Sequence, residues 1–415
     1  MRKNTSILLI AIVCFAITKV SGQSKYLIEL GKLDSLYSNH LKENREFWVQ
    51  LPESFDPNSS RKYPVTYVLD GGVHLGAVFA VYNYYSSGFT SEMIIVGISN
   101  RRQRTRDLTT SKISRRRGIS FNQESGGAEN FTQFIRDELI PYIESKYPAT
   151  PYRTLIGHSY AGLFTINTLI HHTDLFDNYL AIDPSLDWDH QKLLKEAKKV
   201  LAKKKFTGKS LFISLSGQLH RQNSKININN VMQDTTEFSL FPRSIIEFSR
   251  FIEKNKPTDL RFAWKFYPKD IHGTVPLPSI RDGLLFIFEW FQMEETDKIN
   301  SPGTSKGELL SIINHRAQKL QKHFGYKVPP YPEELFNMLG YMSMEMKQLE
   351  KAKMYFEKAI EYYPKSANAY DSIAEYYVLQ NDYQNALIHI KKAFSINPID
   401  YYKTRIEKIK RKIED

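Results

Sequence analysis

The run Gly157-His158-Ser159-Tyr160-Ala161-Gly162 and, more than a hundred residues later, Ile271-His272-Gly273-Thr274 hold a serine and a histidine in the order and setting that nucleophilic ester cleavage needs. Tyr152 to Ile156 reads as a short strand and Ala161 to Leu169 as an apolar helix, so Ser159 is expected on a strained strand-to-helix turn with its hydroxyl exposed. Ser159 would attack the ester carbonyl and His272 would take its proton, then return it to the leaving alcohol. The oxyanion needs two donors: the Tyr160 N–H follows from the elbow itself. The turn Leu69-Asp70-Gly71-Gly72 ends an early strand, and its Gly72 N–H is the expected second donor.

An acid to orient His272 is less obvious. The usual place for it follows the strand Ser210 to Ser216, where the next residues, Gly217-Gln218-Leu219-His220, hold no carboxylate. Asp234, further along that connection, is the first choice; a Ser-His dyad without an acid comes second and Asp183 third. No cysteine, histidine and carboxylate spacing suggests a metal centre, and no phosphate-cradling glycine loop precedes a helix, so neither metal nor cofactor is expected.

Positioning such groups takes a framework. From about residue 44 to 294, short apolar strands at Phe47 to Leu51, Val65 to Leu69, Met93 to Ile98, Thr154 to Ile156, Tyr179 to Ile182, Ser210 to Ser216 and Leu260 to Tyr267 alternate with amphipathic stretches. Among the latter are Phe131 to Ser145 and Ser279 to Phe291. That alternation predicts an α/β fold with a mainly parallel sheet covered by helices. A polar stretch with a proline and two glycines, Glu294 to Gly307, marks a boundary. Beyond it, Phe336, Leu339, Gly340, Ala352, Phe356, Ala359 and Pro364 recur 34 residues later as Tyr370, Ile373, Ala374, Ala386, Ile390, Ala393 and Pro398, which is the tetratricopeptide pattern. Helices at Gly307 to His323 and Ile399 to Glu414 are expected to complete the stack, with the hydrolase shielding one end.

The division read from the chain is a leader at 1–22, an α/β-hydrolase domain at 23–295, a linker and packing helix at 296–332, and two repeats with a capping helix at 333–415. Arg2 and Lys3, the apolar run Ile7 to Ile17 and Val20-Ser21-Gly22 follow the plan of a secretory signal, which implies export to the periplasm or beyond, with cleavage near Gly22. Cleavage would remove Cys14, the only cysteine, and no transmembrane segment is expected in the mature chain. Loss of Arg2, Lys3 and Lys19 would lower the formal charge of +12 by three. The remaining excess gathers at Arg101-Arg102-Gln103-Arg104-Thr105-Arg106 and Arg115-Arg116-Arg117, either as a loop with internal ion pairs or as an attraction for an anionic substrate. Asp70, Arg104 and Arg106 are the candidate substrate contacts. No nucleic-acid module accompanies the basic runs.

Five segments in register carry a resemblance: Tyr67-Val68-Leu69-Asp70-Gly71, Arg104-Thr105-Arg106-Asp107-Leu108-Thr109, the Ser159 hexapeptide, Asp183-Pro184-Ser185-Leu186 and His272-Gly273-Thr274-Val275-Pro276. From about Arg45 to Phe291 the chain resembles the putative-esterase family of α/β hydrolases, in its siderophore-esterase-like branch, with a tetratricopeptide extension. The resemblance implies a serine carboxylesterase with Ser159 as nucleophile, His272 as base and Gly72 and Tyr160 as oxyanion donors. It implies a siderophore-type, aryl or acetyl ester as substrate. Ala161 stands where the family usually has glycine, and Asp183 where many members have serine. The alternative is a hydrolase-like adaptor of the cell envelope with weakened chemistry, binding a protein partner through its repeats.

Overall fold

A computed structural model describes residues 30–414 apart from 56, 58–60, 87, 117 and 256–258; the leader read at 1–22 lies outside the described residues. Within them, eight strands form one sheet: β1 (Lys32–Ser38), β2 (Glu43–Gln50), β3 (Tyr63–Val68), β4 (Ile94–Ile98), β5 (Ala149–His158), β6 (Asn178–Ile182), β7 (Ser210–Ser216) and β8 (Arg261–Tyr267). Their spatial order is β1-β2-β4-β3-β5-β6-β7-β8. Strands from β4 through β8 run parallel, and β1 and β2 join antiparallel at one edge.

Composition explains the arrangement. β3, β4, β6 and β7 are buried along their whole length, as strands with helices on both faces must be, and they read as near-continuous apolar runs. β1 was not anticipated from the sequence: KLDSLYS lies at the edge, mostly solvated, so its alternation is weak. One face of the sheet packs under helices around Phe131, Phe134, Phe164 and Phe248, the other around Leu75, Phe79, Ile280 and Leu284. The expected helix at 131–145 is broken into Ala128–Gln133, a π-helical stretch Phe134–Leu139 and Ile140–Lys146. Pro141 has no N–H to continue the ladder, and the wider turn before it absorbs the mismatch.

The helix Lys306–Phe324 is a wedge between the sheet domain and the repeats. Leu309 and Ile313 pack with Phe336, Leu339 and Tyr355 of the repeats, while Leu320 and Phe324 pack with Tyr152 and Trp290 of the sheet domain. His323 stacks on Trp290 with centroids 4.1 Å apart, and the Tyr326 hydroxyl donates to Thr150 Oγ1 at 2.9 Å. The repeats are the helix pairs Glu333–Glu345 with Leu349–Tyr362, and Ala367–Leu379 with Tyr383–Ile396, closed by Asp400–Glu414.

Arg316 bolts the wedge in place. Its buried guanidinium donates to the carbonyls of Pro330 (2.6 Å), Gln292 (3.0 Å) and Phe291 (2.8 Å), three acceptors with no carboxylate among them. Arg316→Leu leaves those carbonyls without donors, and an expected loss of about 3 kcal/mol follows. Calorimetry should show the repeat end melting earlier; an unchanged melting profile would contradict this role.

Candidate active site

Strand register brings the reacting groups to one edge. In the β5–β6 ladder His158 faces Ile182, so Ser159 and Asp183 are the first residues past the carboxyl ends of neighbouring strands. The Ser159 N–H donates to the Ile182 carbonyl at 2.9 Å, and the Ser159 carbonyl accepts from Leu163 and Ser185, each at 3.0 Å. These bonds hold Ser159 at φ 63, ψ −114, a conformation that costs on the order of 1–3 kcal/mol for a side-chain-bearing residue. The elbow also demands a bare residue at 157: a Cβ there would lie 2.2 Å from the Ala161 carbonyl oxygen. Ala161 itself is fully buried and fits, so the departure from the usual glycine is tolerated.

His272 arrives from the loop after β8, which is tied to the end of β7 by the Gly217 N–H donating to the Asp270 carbonyl at 2.7 Å. Its Nδ1 lies 2.6 Å from Asp183 Oδ2, and since an ionised carboxylate only accepts, Nδ1 carries the proton and Nε2 is left free to act as base. Asp183 is fully buried; Ser216 completes its shell with N–H to Oδ1 at 2.9 Å and Oγ to Oδ2 at 2.8 Å.

This corrects the expected acid. Asp234 accepts from Thr236 Oγ1 (2.7 Å) and Ser239 Oγ (2.5 Å) and pairs with His220 at 3.5 Å, which commits it to a different histidine. The Ser239 and Thr236 hydroxyls hold its carboxyl down at about 2. The signal for Asp183 was in the sequence as the carboxylate at the end of the strand beside the nucleophile strand. Ser216 occupies the end of the strand where the acid was sought, and it donates to Asp183 instead.

Gly72 and Tyr160 lie in the first turns of the helices Gly71–Tyr85 and Tyr160–His171, where amides have no carbonyl one turn back to pair with. The close backbone approach belongs to Gly71, where a Cβ would sit 2.4 Å from the Gly97 carbonyl carbon; at Gly72 it would meet only the Trp48 ring at 3.5 Å. The Ser159 hydroxyl lies 3.4 Å from Ser185 Oγ and makes no hydrogen bond to His272 in this arrangement.

The candidate substrate contacts fare differently from expectation. Both Asp70 oxygens are taken by Arg104, whose Nε lies 3.0 Å from each, and Arg104 also donates to the His158 carbonyl at 3.1 Å. Arg106 is held by Glu43 at 2.6 Å and Asp107 at 2.8 Å. Asp70 and Arg106 are therefore spent on internal pairs, and Arg104 and Arg106 are neutralised by Asp70, Glu43 and the adjacent Asp107. Arg104 stays one-third exposed over the Tyr160 ring, 5.3 Å from its centroid, with Arg116 at 4.9 Å.

His158 was not singled out as a functional residue. Its ring lies 4.5 Å from that of His272 and edge-on to His74 at 5.4 Å, and its Nε2 is sealed from solvent without a hydrogen-bond partner. Ligand atoms of His158, Asp183 and His272 all fall within 4.8 Å of one another, so a metal ion there would compete with the Asp183–His272 bond.

Residues 38–235 match the family described as "Putative esterase", and 333–366 and 367–400 each match a tetratricopeptide repeat. Over those residues the chain is similar to this esterase family, and at its end to the tetratricopeptide repeat. A "Ferri-bacillibactin esterase BesA" from Bacillus subtilis is 29% identical over 212 residues, covering 47% of this chain and 73% of that protein. A "Siderophore enterobactin esterase" from Emericella nidulans is 29% identical over 180 residues, 39% of this chain and 56% of the relative. Among solved structures, an "IroE-like serine hydrolase" from Shewanella oneidensis superposes with a TM-score of 0.65 at 28% identity, covering 80% of this protein and 99% of that chain. An uncharacterised protein from Capnocytophaga ochracea shares the fold over 92% of this chain and 99% of its own, with a TM-score of 0.57 at 18% identity. The expected fold, a mainly parallel α/β-hydrolase sheet followed by helical repeats, is what this protein has.

Burial first, then the charges of His272, His74 and Arg104, push the His158 imidazole down to about 3. An unfolded histidine titrates near 6.5, so the unfolded chain binds a proton that the folded chain refuses. The His158 contribution to stability is thus complete above that pH and is lost as pH falls toward 3. His158→Phe keeps a ring in place and should flatten the decline of the urea midpoint between pH 6.5 and 4. Equal slopes for the two proteins would contradict it.

Proposed function

We propose that this protein is an exported serine carboxylic-ester hydrolase that acts through an acyl-enzyme on a siderophore-type ester. The observation that carries the reading is the 2.6 Å bond from His272 to a fully buried Asp183 beside the strained Ser159 turn. In the proposed reaction the Ser159 hydroxyl exchanges its Ser185 contact for His272 Nε2, and such contacts commonly tighten only when substrate is present. Ser159 Oγ attacks the ester carbonyl while His272 takes the proton. Asp183 stabilises the imidazolium so formed, and the N–H groups of Tyr160 and Gly72 receive the oxyanion. His272 then protonates the departing alcohol, and water releases the acyl group by the same steps in reverse.

Siderophore esters are supported as the substrate class by the names of the bacterial and fungal relatives, and exposed guanidinium at Arg104 suits an anionic ester. Export is supported by the pattern of residues 1–22, and no helix among the described residues is long and apolar enough to cross a membrane. The adaptor alternative rests on a missing acid and on the repeat surface; the Asp183–His272 bond speaks against the first of these.

A fluorescent phosphonate should label the wild-type chain stoichiometrically and leave Ser159→Ala unlabelled; equal labelling of the two would sink the proposal. Asp183→Asn, which keeps the shape and loses the charge, is expected to lower kcat on a catechol-serine lactone by roughly 10³–10⁴-fold. Asp234→Asn should leave kcat within about twofold, since Asp234 bonds Thr236, Ser239 and His220 and not His272. The reverse ranking of these two variants would return the acid to Asp234.

A further inference from the structure

The two repeats can be compared position by position, and one face does not match. In the second repeat, Ser372 and Tyr376 are 1% and 6% exposed, because the preceding helix Leu349–Tyr362 lies over them with Ala352 and Phe356. The equivalent residues of the first repeat, 34 positions earlier, are Met338 and Met342, and they are 49% and 37% exposed. Met346, one turn on, is 46% exposed. Spaced by four, the three methionines make one stripe along Glu333–Glu345 and the residue after it. The wedge helix Lys306–Phe324 packs its Leu309 and Ile313 elsewhere on the repeat and leaves this stripe open.

The stripe is therefore the stacking face of the first repeat, the place where the chain itself puts an amphipathic helix one repeat later. Methionine is the residue that adapts its shape to such a partner. Charge narrows the occupant. The helix Glu333–Glu345 holds three carboxylates and no cation, and exposed Glu334 and Glu345 stand near either end of the stripe without a salt bridge among the described residues. A second copy is a poor occupant, because parallel or antiparallel pairing of this helix with itself sets carboxylate against carboxylate.

We propose that the Met338, Met342, Met346 face docks an amphipathic helix of another protein, with an apolar stripe flanked by lysines or arginines, as an extra unit of the helical stack. This is independent of the chemistry at Ser159.

The test uses the full mature chain and two labelled, stapled sixteen-residue helices with the same leucine stripe, one flanked by lysines and one by glutamates. Fluorescence anisotropy should show saturable binding of the lysine-flanked helix, at least tenfold tighter than that of the glutamate-flanked one. The double variant Met338→Gln, Met342→Gln should weaken it at least tenfold with an unchanged melting curve. The proposal is overturned by no saturable binding, by equal binding of the two helices, by a double variant that binds like wild type, or by a dimer in sedimentation that the double variant dissolves.

Discussion

The parallel hydrogen-bond ladder joining β5, β6 and β7 sets where every group of the site can stand. It pairs His158 with Ile182 and Ile182 with Ser214, so the strands end nearly flush and the residues that follow share one edge. Ser159 and Asp183 are the first residues beyond that edge, and Ser216 lies at the last position of β7. A slip of one residue in any of these pairings would turn an alternate side chain outward and carry the carboxylate away from His272. The central strands are apolar on both faces, which pins the register through burial.

Three crossover turns leave this edge through a residue with positive φ that is not glycine: Asp70 after β3 at 53°, Ser159 after β5 at 63° and Asp183 after β6 at 43°. Aspartate tolerates that region better than most residues, whereas serine there is held by the bonds around it. Each turn bends the chain sharply, lifting its side chain above the sheet. Asp70 uses its lift to grip Arg104, which in turn holds the His158 carbonyl. The turn after β3 and the turn after β5 are thereby coupled by a single guanidinium.

How much of this could be read beforehand depended on whether the determinant was local. Ser159 sits in a local strand-turn-helix pattern, and His272 stands before a glycine near the end of the sheet domain, so the places of both in the fold were legible. Asp183 was visible but placed last, because its partnership with His272 is set by strand adjacency and by Ser216, which donates to its carboxylate from the end of the next strand. Arg106 stood as a candidate substrate contact because Glu43, one of the two carboxylates that pair with it, lies 63 residues away. β1 escaped for a related reason: an edge strand buries so little that its residues need not announce their face. His158 gave no sign at all, since its ring position against His272 and His74 exists only once three separate turns meet.

The same dependence on non-local contacts shapes the other half of the chain. Two repeats fall short of the three or so that a solenoid needs to bury its own core, so both ends must be closed by something else. Asp400–Glu414 closes the far end, burying Tyr402 and Ile409 against Ala374, Ala386 and Ile390. At the near end the wedge helix does the closing, but it must face two ways, giving Leu320 and Phe324 to the sheet domain and only Leu309 and Ile313 to the repeats. A helix divided between two cores cannot also lie along the first repeat as a true preceding unit would. The open methionine stripe follows from that division, so the surface that joins the repeats to the sheet domain is also what leaves their first helix uncovered.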